Sequence, residues 1–230
     1  VSVSDPLWRI RCGAAKALSL SQEEEVAAVN AKTNRLAIYG GAFDPIHNGH
    51  LVTIAHLVAS GQVDSVVVVP SGDRPDKKTS VSAADRLAMT RIAIEEAFPN
   101  DSRVSVSDIH ATGKVGYGTI DLVEHFMKQP DTAPCVVIGQ ELLQDLPAWK
   151  EISRLRSLTS FLVIRRPGTI APQLPKDISA SWLSSPYEAG VLVSSTTIRS
   201  MLVRGLTCSG LLPPSVVAYC RSHGLYGTQK

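Results

Sequence analysis

Leu36-Ala37-Ile38-Tyr39-Gly40-Gly41-Ala42-Phe43-Asp44-Pro45-Ile46-His47-Asn48-Gly49-His50 is the stretch on which the reading of this chain turns. Its first four residues are a short apolar run that stops at a pair of glycines, as a buried strand does when it enters a loop. Beyond Asn48, a residue suited to cap a helix, apolar side chains recur at Leu51, Ile54, Ala55 and Val58, the spacing of a helix over residues 49–60. The stretch therefore reads strand, glycine loop, helix. Such a loop lets backbone approach a ligand closely, and a helix start carries N–H groups and partial positive charge. His47 and His50, three positions apart at that start, can face one anion. With 6 His and 16 Gly in 230 residues, His-x-Gly-His arises by chance in about one such chain in a hundred.

The same rhythm continues downstream. Strands are expected at 63–69, 103–109, 135–138, 160–164 and 190–193, and helices at 82–98, 119–127 and 151–155. Two final helices are expected from about Thr196 and Pro213. Strands alternating with helices imply an α/β fold: an open parallel sheet, helices on both faces, ligands at the carboxyl ends of its strands. A second strand-to-helix passage, Val193-Ser194-Ser195-Thr196-Thr197-Ile198-Arg199, offers hydroxyls, amides and a guanidinium one turn on. Ser195 is placed to cap that helix. Two helix starts at one sheet edge suit a triphosphate between them.

Composition narrows the classes. Hydrophobic residues make up 44% and charged residues 19% of the chain, which suits a folded core. The net charge of +2 gives no field for coating nucleic acid, and the longest aliphatic run, Val66–Val69, is far below a membrane span of ~20 residues. Four separated cysteines give no thiolate metal pair and fit a reducing compartment. The sequence has no Gly-x-x-x-x-Gly-Lys-Ser/Thr loop, no dinucleotide Gly-x-Gly-x-x-Gly after the first strand and no Gly-x-Ser-x-Gly elbow. Residues 1–34 read as an extension with a short helix at Ser21–Val29, and 35–230 as the main domain. The extension holds no signal-peptide core. A cytoplasmic protein is expected, with an organellar location after removal of a targeting segment as the alternative. No heptads specify an oligomer, although the helices could support a dimer or ring.

Gly-Gly-x-Phe-Asp-Pro-Ile-His-x-Gly-His with Ser-Ser-Thr-x-x-Arg resembles the signature of the nucleotidyltransferase superfamily. From Arg35 to Tyr226 the chain is similar to bacterial-type nicotinate/nicotinamide mononucleotide adenylyltransferases. The likeness includes Asp85-Arg86-Leu87-Ala88-Met89, Ile138-Gly139-Gln140-Glu141, Leu146-Pro147-Ala148-Trp149 and Arg165-Arg166-Pro167-Gly168. It implies a Rossmann-like nucleotidyltransferase fold and transfer of AMP from a Mg²⁺-bound ATP to a pyridine mononucleotide, with pyrophosphate leaving. It implies that His47, His50 and Arg199 are catalytic. Gly40, Gly41, Phe43 (through their backbone), Lys78, Ser195 and Thr196 would bind ATP phosphates. Thr119, Glu141, Trp149 and Arg166 would bind the mononucleotide, with Trp149 stacked on the ring. No protein metal site is implied. Three positions depart from the pattern: Ala42 for a hydroxyl residue, Glu141 for Asp, and Asp76-Lys77-Lys78 without the usual His. His56, His110, His125 and His223 are read as bystanders. Two rivals stand beside this reading. One is a related adenylyl- or cytidylyltransferase acting on phosphopantetheine or a small phospho-alcohol, and the other is a nucleotide-binding sensor without turnover.

Overall fold

The computed structural model describes residues 33–73, 78–184 and 193–228. The helix expected at Ser21–Val29 and most of the strand expected at 190–193 lie outside them. Among the described residues, β1 (Asn34–Gly41), β2 (Ser65–Pro70), β3 (Val104–Val106), β4 (Thr132–Gly139), β5 (Ser160–Ile164) and β6 (Ala180–Trp182) form one sheet. Their order is β3-β2-β1-β4-β5-β6, and every pairing is parallel. The helices are α1 (Asn48–Ala59), α2 (Ala83–Ala97), α3 (Thr119–Phe126), α4 (Ile152–Leu158), α5 (Ser195–Val203) and α6 (Pro214–His223). This is the doubly wound order, in which β1 and β4 flank the switch point where the winding reverses.

Both faces of the sheet are covered, which explains the near-continuous apolar strands. Ala37, Val66, Val68, Val137 and Leu162 belong to one core with Ile54 and Leu57 of α1, Met89 and Ala93 of α2, Ile198 of α5 and Val216 of α6. The alternate residues Ile38, Val67, Val69, Val136 and Phe161 belong to a second core with Ile120 and Val123 of α3 and Leu155 of α4. The period of two along each strand thus divides the chain between two layers. Helix ends follow local chemistry. Ser82 Oγ accepts the Asp85 N–H at 3.1 Å to start α2, and Gly224, at φ 62°, ends α6 in the left-handed region that glycine tolerates.

Several expected boundaries shift. Ala55, one of the apolar positions recurring at helical spacing, is exposed. Only Val104–Val106 of the expected strand 103–109 pairs as β3, because Ser107 Oγ accepts the Ile109 N–H at 3.4 Å and the chain turns. Glu151 precedes α4 at φ 51° instead of opening it. Sequence gave no cue for β6. It is an edge strand whose three residues include a single aromatic and no β-branched side chain. No helix among the described residues is long and apolar enough to cross a membrane.

Candidate active site

A cavity of about 400 Å³ opens at the carboxyl ends of β1, β4 and β5, across the switch point. Gly40, Gly41 and Phe43 after β1, His47 and His50 of the α1 start, Glu141 after β4, Arg166 after β5 and Ser195 of α5 all line it. Eight of the thirteen side chains and glycines singled out in the sequence therefore share one space. Arg199 and Thr196 stand beside it on α5. Lys78 is exposed, follows residues 74–77, which are not described, and is not among the residues that line the cavity. Thr119 and Trp149 lie elsewhere: Thr119 opens α3, and Trp149 packs edge-to-face on Phe161 with centroids 6.4 Å apart.

The helix caps differ from expectation in an instructive way. His47, not Asn48, caps α1, and the Asn48 side chain donates to the Gly210 carbonyl at 2.9 Å. The Asn48 N–H, one of the donors expected to be free for an anion, is used by the Leu211 carbonyl at 2.9 Å. Ser194, not Ser195, caps α5 by accepting the Thr197 N–H at 3.1 Å. Ser195 Oγ instead donates to the Pro45 carbonyl at 2.9 Å, and Arg199 Nη1 donates to the Asp44 carbonyl at 2.7 Å. The start of α5 is thereby fastened to the loop after β1. Two segments 150 positions apart in sequence form a single wall.

His47 and His50 stack, with centroids 3.7 Å apart and planes 16° apart. His50 Nδ1 accepts the His47 N–H at 3.2 Å, so in the neutral ring the proton sits on Nε2, leaving that N–H as the donor for a ligand. His47 Nδ1 is buried with no hydrogen-bond partner. Burial lowers the His47 pKa to about 4, and burial followed by repulsion from His47 holds His50 well below the ordinary imidazole range. Burial thus favours the neutral form of both rings, in which each ring has one N–H to offer a ligand.

Glycine at position 49 is a packing requirement: a Cβ there would lie 2.9 Å from Val193 Cγ1 and 3.1 Å from the His47 ring. A Cβ at Gly40, in contrast, meets no atom within 4 Å, so its bare backbone leaves room to the cavity. The Phe43 side chain is itself part of the wall. Its ring, 3% exposed, lies over Gly41 and stands edge-on to His50 at 4.9 Å. To do so it adopts φ 47°, a conformation that non-glycine residues seldom take.

Sequence reasoning missed the residues that hold this loop. Arg86, fully buried, donates to the Ala42 carbonyl at 2.8 Å and Ser71 Oγ at 3.1 Å, and pairs with Asp73 at 3.0 Å. Its signal was a cation on the buried stripe of α2, in line with Thr90 and Ala93. Asp44, 5% exposed, accepts from the Tyr226 hydroxyl at 2.8 Å and from the Ser80 N–H at 2.6 Å. His56, read as a bystander, lies on the cavity wall. Across from the histidines, Gln140 links two loops: its Nε2 donates to Thr169 Oγ1 at 2.8 Å and its Oε1 accepts the Arg166 N–H at 3.0 Å. Glu141 folds back over Gly139, where any Cβ would collide with its carboxylate.

A switch-point cavity walled by two helix starts is the ligand site of a doubly wound α/β protein, with backbone suited to an anionic ligand such as a nucleotide. A family model described as Cytidylyltransferase-like matches residues 38–201. A probable nicotinate-nucleotide adenylyltransferase of Neisseria meningitidis serogroup B is 36% identical over 203 residues, covering 84% of this chain and 98% of that protein. Another, from Myxococcus xanthus, is 32% identical over 197 residues, covering 85% and 96%. The fold is similar to that of Plasmodium falciparum nicotinic acid mononucleotide adenylyltransferase complexed with NaAD, with a TM-score of 0.74, 22% identity and coverage of 85% and 98%. The chain belongs to the cytidylyltransferase-like family and, within it, to the nicotinate-nucleotide adenylyltransferases.

Proposed function

We propose that this protein transfers AMP from ATP to nicotinate mononucleotide, giving nicotinate adenine dinucleotide and pyrophosphate in NAD biosynthesis. The observation that carries this reading is the stacked His47–His50 pair and Ser195 on the wall of one switch-point cavity, with Arg199 fastened to the same loop. The names of the relatives favour the acid over nicotinamide mononucleotide. Residues 35–230 serve as the nucleotidyltransferase domain and 1–34 as an extension; the compactness of Asn34–Lys230 supports that division. Three described thiols, Cys135, Cys208 and Cys220, are free, in keeping with a reducing compartment such as the cytoplasm.

An oxygen of the mononucleotide phosphate attacks the α-phosphorus of ATP in line, the α–β bridging bond breaks, and pyrophosphate leaves with its Mg²⁺. The metal enters as part of the MgATP substrate. The attacking phosphate is already ionised, so the step asks for position and charge stabilisation, not for a base. His50 Nε2–H and His47 donate to phosphate oxygens as charge shifts toward the leaving group. Arg199, Ser195 and Thr196 hold the β- and γ-phosphates, Lys78 reaches toward them, the bare backbone of Gly40 lets them approach, and Gly41 lines the same loop beneath the Phe43 ring. Glu141 and Arg166 face the bound nucleotides from the opposite wall. Thr119 and Trp149 remain assigned to the pyridine ring by family likeness. The test is pyrophosphate release from MgATP with nicotinate mononucleotide, nicotinamide mononucleotide, phosphopantetheine and a small phospho-alcohol as separate acceptors. Release with the pyridine mononucleotides alone is expected. Release with phosphopantetheine, or with no acceptor, overturns the reading.

A further inference from the structure

Arg199 and Asp44 form only a long, single-pronged ion pair, and the reason points to a residue at the far end of the chain. Arginine and carboxylate ordinarily lock as a two-pronged fork with N–O distances near 2.8 Å. Here Arg199 Nη1 lies 3.8 Å from Asp44 Oδ2 and donates instead to the Asp44 main-chain carbonyl at 2.7 Å, while Nη2 donates to Thr196 Oγ1 at 3.2 Å. Both carboxylate oxygens already have donors: Oδ1 takes the Tyr226 hydroxyl at 2.8 Å, and Oδ2 takes the Ser80 N–H at 2.6 Å. Asp44 is 5% exposed and Tyr226 8% exposed, so bulk water is a poor substitute for either donor. Tyr226 sits in the turn Leu225–Gly227 after α6, at φ 53°, a backbone conformation uncommon for a side chain of its size.

We infer that Tyr226 is a positioning residue for Arg199: its hydroxyl occupies the Asp44 carboxylate and so keeps the guanidinium turned toward Thr196 and the triphosphate. The inference rests on the reading that ATP phosphates lie between α1 and α5. Without the hydroxyl, Oδ1 is a buried carboxylate oxygen in need of a donor, with the Arg199 cation next to it. Arg199 then moves onto the carboxylate and away from Thr196. The loss is one of ligand contact, not of folding. It falls on ATP, since the mononucleotide is assigned to other residues.

The experiment is MgATP titration by calorimetry on the full chain, with melting temperature and steady-state kinetics alongside. Tyr226→Phe, which keeps the ring, is expected to weaken MgATP binding about tenfold and to leave the KM for nicotinate mononucleotide within about twofold. Adding Asp44→Asn to Tyr226→Phe removes the charge that captures Arg199, so the double variant is expected to regain at least half of the lost affinity on a logarithmic scale. A merely structural tyrosine predicts the reverse, a double variant worse than either single one. Unchanged ATP affinity in Tyr226→Phe, or no recovery in the double variant, overturns the inference. If Tyr226→Phe does not fold, Tyr226→Gln, whose amide N–H can still donate to a carboxylate, is compared with Tyr226→Leu, which cannot. The glutamine variant is expected to bind MgATP at least about threefold more tightly than the leucine variant, and equal affinities or the reverse order overturn the inference. Wild-type protein that binds no MgATP defeats the phosphate assignment and this inference together. Wild type that binds and turns over beside an unaffected Tyr226→Phe defeats the inference alone.

Discussion

The two walls of the cavity are built on different plans. The wall after β1 is buried and tied down: Phe43, Asp44 and His47 are each 5% exposed or less, and side chains from α2, α5 and the C-terminal turn all bond to it. The wall after β4 and β5 is exposed, and one amide side chain, Gln140, joins its two loops. This difference matches what each side has to do. Charge stabilisation at phosphorus depends on donors held in place before the reaction, because their reorganisation would otherwise add to the barrier. Recognition of a base or sugar tolerates, and for entry and release requires, a wall that gives.

His50→Ala strikes the rigid wall at the reacting phosphates and is expected to have the largest effect. It should lower kcat by about 10²- to 10³-fold, or ~2.7–4 kcal/mol, with melting temperature nearly kept. Near-normal turnover in a folded variant would remove His50 from the chemistry and with it the contrast between the walls. Gly49→Ala comes next. Its methyl must displace Val193 or the His47 ring, an overpacking that costs roughly 1–3 kcal/mol of stability, read as a lower urea midpoint, together with reduced kcat. A variant as stable and active as wild type would show that the wall yields after all.

Trp149→Ala sharpens the contrast from the other side. If the indole leaves Phe161 to stack on the pyridine, the KM for nicotinate mononucleotide should rise about tenfold while that for ATP stays fixed. Lost stability with both KM values kept would assign Trp149 to the second core alone. The smallest expected effect is on pH. The folded-state pKa of His47 is depressed from 6.5 to about 4, so its contribution to stability is full above pH 6.5 and is lost as pH falls toward 4. Urea midpoints of wild type should therefore decline between pH 7 and 4, and His47→Asn should flatten part of that slope. Equal slopes in the two proteins would mean that His47 is not held neutral by burial.

Much of the architecture could be read from residue spacing alone. The β-branched run of β2, the serine before α2 and the prolines opening α6 each announce their element because the interactions behind them span only a few residues. Edge strands were the failures: β3 is shorter than its alternation suggested and β6 had no cue, since pairing with a neighbour is not written in the local pattern. At the site, His47, Gly49 and His50 were legible because one helix start holds all three. Asp44, Arg86 and Tyr226 were not. A buried arginine looks like a surface arginine until the carbonyl it serves, 44 positions away, is brought beside it.

By itself the sequence determined which residue types stand at the two helix starts and that the strands between them run parallel, because short-range propensity and burial period are local properties. The tertiary structure alone decided that these starts share a wall, that His47 rather than Asn48 caps α1, and that a tyrosine near the last residue reaches the first loop. Those outcomes depend on which buried donors and acceptors meet once the sheet has wound in both directions from its switch point, and the hydrogen-bond partners there are up to 182 residues apart in the chain.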